Sequence, residues 1–139
     1  MVASVSLHQR LQGLNNCGAR VSENHAYTGN GQASVIITFS NGTKLRADYW
    51  RLSKNGGALF SSFDHKQQYG LPAPMDAITC LRDELRNATI VETRHDLESG
   101  DLLFAFSNSA KLQVLNVSGY EIWEITFPDG SGELSNYAK

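Results

Sequence analysis

Four histidines, His8, His25, His65 and His95, are the side chains of this 139-residue chain best suited to hold a metal or move a proton. Their spacing assigns them neither role. No His-x-x-x-His or His-Glu-x-x-His pair occurs, and Cys17 and Cys80 stand far apart, so the sequence presents no metal-ligand set. Asp64-His65 and His95-Asp96 each put a carboxylate beside a possible base. Adjacent residues on a strand point to opposite faces, however, so such a neighbour does not orient the ring. There is no Gly-x-Ser-x-Gly turn, and Gly29-x-Gly31 precedes a strand rather than a helix, which removes its phosphate-binding logic. The sequence therefore points to no catalytic residue and no cofactor.

Residues suited to recognition are easier to find. In Tyr49-Trp50-Arg51, strand alternation puts Trp50 on one face with Arg46, Asp48 and Leu52, which predicts an exposed tryptophan. Exposed Trp and Arg are enriched among binding hot spots. Trp123 instead alternates with Ile125 and Phe127, a pattern that places it in the core. Glu92, Asp96, Glu98 and Asp101 gather around the turn Glu98-Ser99-Gly100. Such a run is a solvated hairpin tip that can also dock a basic partner. The candidate partner-binding residues are accordingly Trp50, Arg51, Glu92, Asp96, Glu98 and Asp101.

Composition narrows the class without choosing a function. Hydrophobic content of 41% and charged content of 19% describe a folded single domain spanning residues 1–139. A net charge of −2 gives no general attraction to nucleic acid or anionic lipid. No apolar run is long enough for a signal peptide or a membrane span, and two distant cysteines read as reduced thiols, so the expected location is the cytoplasm.

The elements that must position these residues come in two similar sets. FSNGTKL at 39–45 and FSNSAKL at 106–112 share five of seven residues. Each follows an apolar strand pattern, with Val35, Ile37 and Phe39 on one face and Leu102, Phe104 and Phe106 on the other copy's. Asn41-Gly42 predicts a tight hairpin turn with both residues at positive φ, and Asn108-Ser109 is its weaker equivalent. Upstream, ARVSENH resembles TIVETRH, aligning Val21 with Val91 and His25 with His95. The first copy carries the longer loop, YTGNGQ.

Leu7, Leu11 and Leu14, and later Ile78, Leu81 and Leu85, mark one face of a helix before each set. Ser6 suits the N-cap of the first and Pro74 the beginning of the second; Asn15-Asn16 and Asn87 suit their ends. Downstream, TKLRADYWRL and KLQVLNV read as returning strands, and YEIWEITF as a further strand with ALFSSFD as its counterpart. The expected fold is α+β: internally duplicated helix plus antiparallel β-meander units, about 6–66 and 75–130, sharing one core. A unit of that size alone buries too little apolar surface to be stable.

Strands ending in Phe-Ser-Asn-Gly or Phe-Ser-Asn-Ser, then Lys-Leu, and later Gly-Tyr-Glu-Ile-Trp-Glu-Ile and Pro-Asp-Gly, resemble small bacterial proteins found near polymorphic or contact-dependent toxin genes. Some of that group are regarded as immunity proteins. The resemblance implies a non-enzymatic protein that neutralises a cognate toxin by occluding it. It carries over no site residue. The alternative from another class is a small-ligand-binding domain or enzyme with its site at the seam between the units.

Overall fold

The computed structural model describes residues 6–25, 33–118 and 122–135. It is an α+β fold made mostly of strands. Helix α1 (Leu7–Gln12) leads into β1 (Ala19–Glu23), β2 (Val35–Phe39), β3 (Lys44–Ala47), β4 (Trp50–Lys54) and β5 (Gly57–Ser61). A short 3-10 turn at Ser62–Asp64 follows. Helix α2 (Ala77–Leu85) then precedes β6 (Ile90–His95), β7 (Leu102–Phe106), β8 (Ala110–Val114), β9 (Trp123–Thr126) and β10 (Gly132–Leu134).

Local chemistry explains the helix ends. Ser6 caps α1 through a reciprocal capping box with Gln9. Asp76 caps α2 by accepting from the Thr79 N–H, so the start signal is Asp76 and Pro74 lies outside the helix. Asn16 and Asn87 both adopt positive φ just after the helical segments, as residues tolerant of the left-handed region do.

Among the described residues the strands form two five-stranded antiparallel sheets, ordered β1-β2-β3-β9-β10 and β5-β4-β8-β7-β6. Neither sheet belongs to one stretch of chain. After β3 the chain leaves the first sheet, and β4 pairs with β8 of the second. After β8 it returns, and β9 pairs with β3. The helices also cross, α1 packing on β6 and α2 on β1. The Gly18–Thr89 bridge joins the two sheets, flanked by bonds from Ile90 N–H to Cys17 O and from Asn16 N–H to Ile90 O. One continuous core draws on both sheets and both helices, with the Phe39 and Phe104 rings 5.6 Å apart inside it. Phe39 and Phe106, each the last residue of a strand before a turn, are both buried.

The crossing corrects the reading of TKLRADYWRL as one strand. Leu45 and Ala47 face the core from β3, and the chain then changes sheets through Asp48-Tyr49. That step resets the alternation, so Trp50 and Leu52 point inward from β4. Trp50 is fully buried, not exposed. Its indole N–H donates to Ala33 O and its backbone N–H to the Ser62 hydroxyl. Trp123 is buried as expected and held alike: its indole N–H donates to Gly100 O and its backbone N–H to Ser135 Oγ.

Three further expectations change. The hairpin loops have three residues, 40–42 and 107–109, and only the last is left-handed, Gly42 at φ 95° and Ser109 at φ 70°. Asn41 and Asn108 instead accept backbone N–H bonds from Thr43 and Ala110. Val91 does not match Val21: a bulge between Ile90 and Glu92 turns Val91 outward, 56% exposed, and brings Thr93 inward opposite Phe104. His95 is then the last residue of β6, whereas His25 lies beyond β1. Finally, β10 extends the strand set past residue 130, and ALFS pairs with β4 as β5 while β10 pairs with β9. The YTGNGQ loop, Tyr120 and Glu121 lie outside the described residues.

Candidate functional site

Exchange of strands gathers onto one open sheet face residues that the sequence holds far apart. Across the second sheet, Ser61, Arg51, Gln113, Leu103 and Arg94 stand in one cross-strand row. Burial of Trp50 and Leu52 sends Arg51 to the outside, because side chains alternate along β4. Arg51 Nη2 donates to Gln113 Oε1, and Gln113 Nε2 donates to Asp101 Oδ2 at 3.3 Å. The other Asp101 oxygen accepts the Asn116 backbone N–H at 2.7 Å. Arg51 and Asp101 are thereby tied into one polar chain spanning β4, β8 and the start of β7. Glu92 and Arg94 form an ion pair on the same face, toward the β6 edge. A groove of about 370 Å³ runs beside this network, lined by Arg94, Leu103, Gln113 and Asp101 among others.

The acidic group divides by role. Asp96 accepts backbone N–H bonds from Ser99 and Glu98, which hold its carboxyl below the usual carboxylate range, Ser99 contributing most. It is therefore committed to the turn between β6 and β7. Asp101 is committed likewise through Asn116. Glu98 projects from the tip of the turn, and no hydrogen bond or ion pair involves its carboxylate among the described residues.

Of the six candidates, Arg51, Glu92 and Asp101 share the open face, Asp96 and Glu98 sit at the adjoining hairpin tip, and Trp50 lies in the core. Gln113, the link between Arg51 and Asp101, escaped sequence reasoning. Its signal was the alternation of KLQVL, which puts Lys111 and Gln113 outside. Asp96 carried a readable signal too, since an Asp beginning a Ser- and Gly-containing tip is suited to an Asx-turn.

His25, His65 and His95 occupy separate surroundings, and His8 of α1 lies near enough to His95 to act on its charge. His25 contacts Glu23 at 3.1 Å on the surface. His65 is buried and accepts the Ala77 N–H through Nδ1, which ties the 3-10 turn to the beginning of α2. His95 stands edge-on to Trp123, ring centroids 6.1 Å apart, and burial pushes its imidazole below the ordinary value. Among the described residues no group of three His, Cys, Asp or Glu gathers as metal ligands would, and both cysteines are unbonded. No helix among them is long and apolar enough to cross a membrane. Comparison with protein-family models, curated proteins and solved structures finds no match to this chain.

Proposed function

We propose that this chain is a cytoplasmic, non-enzymatic binding protein of the immunity type, which neutralises a cognate toxin by covering it with the open face of the second sheet. The observation that carries the reading is the fixed polar chain from Arg51 through Gln113 to Asp101. Charged groups tied down before binding lose little side-chain freedom when a partner arrives. A broad sheet face with interspersed charges also suits a protein surface better than a small molecule. Where the beginnings of the two units meet, backbone bonds between residues 16–18 and 89–90 fill the junction and leave a small molecule no opening there.

We further propose that the fold arose by internal duplication. The like treatment of Trp50 and Trp123, the two three-residue turns and the reciprocal crossing of strands and helices support it. On this reading each unit gives its last two strands to the sheet of the other, so neither unit is independent.

Co-expression with the product of the adjacent upstream gene tests the function. The expected result is a toxic product, rescue by this chain, and a complex that Arg51→Ala weakens by about tenfold to a hundredfold. An upstream product that is harmless alone, or that forms no complex at roughly micromolar concentration, sinks the immunity reading. A complex indifferent to Arg51→Ala moves the interface away from this face.

A further inference from the structure

A second concavity adjoins the open face at the hairpin tip, where His95 lines both. It holds about 180 Å³, less than the roughly 300 Å³ at which small-molecule sites begin, and enough for one protein side chain. Its floor is Trp123 and His95, its walls are Leu7 and Leu134, and its rim carries Leu97, Glu98 and Glu133. The origin of the pocket is visible in the strand pairing. Phe60 of β5 stands opposite Leu52 and packs edge-on over Trp50, centroids 6.0 Å apart. Glu133 of β10 stands in the corresponding place, opposite Ile125, two residues beyond Trp123. A carboxylate that remains in water thus occupies the place where an aromatic ring closes the other tryptophan.

The rim is unbalanced in charge. Neither Glu98 nor Glu133 has an ion pair or side-chain hydrogen bond among the described residues. Among the described residues, the other charged or titratable groups nearby are Asp96, whose carboxylate serves the turn, His8 of α1, and His95, which burial favours in its neutral form. Leu97 is 90% exposed, so the rim adds an apolar side chain to the two anions. Apolar walls that take an aliphatic stem, below two carboxylates that take a planar fork of donors, match one side chain best.

We propose that this pocket receives an arginine side chain from a protein partner. The inference rests on the reading that a protein docks beside the open face, and it names the residue that the partner contributes. Arginine combines the stem and the bidentate head, whereas an apolar side chain would leave the rim carboxylates unused.

The test uses the free protein and three probes in nuclear magnetic resonance titrations: Nα-acetyl-arginine methylamide, its citrulline analogue and its norleucine analogue. The arginine probe is expected to shift the Trp123 indole N–H and His95 ring signals saturably, while the Trp50 indole N–H stays still. Citrulline keeps the shape and loses the charge, and is expected to bind roughly tenfold more weakly. Glu98→Gln with Glu133→Gln should produce a similar loss; both side chains are exposed, so the fold survives. Norleucine binding as well as arginine would replace the proposal with an apolar side-chain pocket. No saturable shift at Trp123, or equal shifts at Trp50, would overturn it. Because no toxin is present, this outcome is independent of whether the upstream product forms a complex.

Discussion

Trp50 and Trp123 are held by the same bonds and finished differently. Each indole N–H donates to a backbone carbonyl, and each backbone N–H donates to a buried serine hydroxyl. Phe60 then closes the first, whereas Glu133, opposite the matching strand position, leaves the second as the floor of a pocket. The difference teaches that a single strand position separates a closed tryptophan site from an open one. Everything below that position builds the core. The residue on the outer strand decides whether the surface above it is sealed or open.

The largest expected effect comes from emptying the two sites. Trp50→Ala should cost about 3–5 kcal/mol of unfolding free energy in urea, since a sealed site cannot relax into solvent. Trp123→Ala should fall at or below the lower end of that range, because its cavity already opens outward. An equal or greater loss at Trp123 would break the contrast between a sealed and an open site.

Next come the serines. Ser62 and Ser135 are both buried, and each satisfies the backbone N–H of its tryptophan. Changing either to alanine leaves that donor orphaned and should cost about 1–3 kcal/mol by the same measurement. Similar losses would sharpen the view that both sites are held alike; a loss at one serine alone would refute it.

The smallest effect separates the two turns. Gly42 and Ser109 share the left-handed conformation, but only Gly42 adopts it without steric cost. Ser109→Gly should therefore raise stability by roughly 0.5–1 kcal/mol, read as a higher midpoint of thermal unfolding, and Gly42→Ser should lower it by a similar amount. Space is not the obstacle at Gly42, where an added Cβ would meet Pro128 at an ordinary 3.7 Å. Unchanged midpoints would mean that the turns differ in more than their last residue.

What the sequence by itself determined is local. Alternation in VIITF, LLFAF and WEIT set which side chains face inward, because a strand has period two whatever it pairs with. Ser6, Asn16 and Asn87 marked the helix ends through short-range hydrogen bonding and tolerance of positive φ. Asn41 and Asn108 marked the corners for the same kind of reason. Only the tertiary structure decided where a strand stops belonging to one sheet and joins another. Nothing in ADYW announces that change, because it depends on β8 being available to pair with β4. From that pairing follow the burial of Trp50, the exposure of Arg51 and its connection through Gln113 to Asp101. The bulge that turns Val91 outward is equally invisible in TIVETRH, since one extra residue against a partner strand is a property of the pair. Sequence dictates the pattern of each strand, while register and partner choice, which are non-local, dictate what that pattern meets.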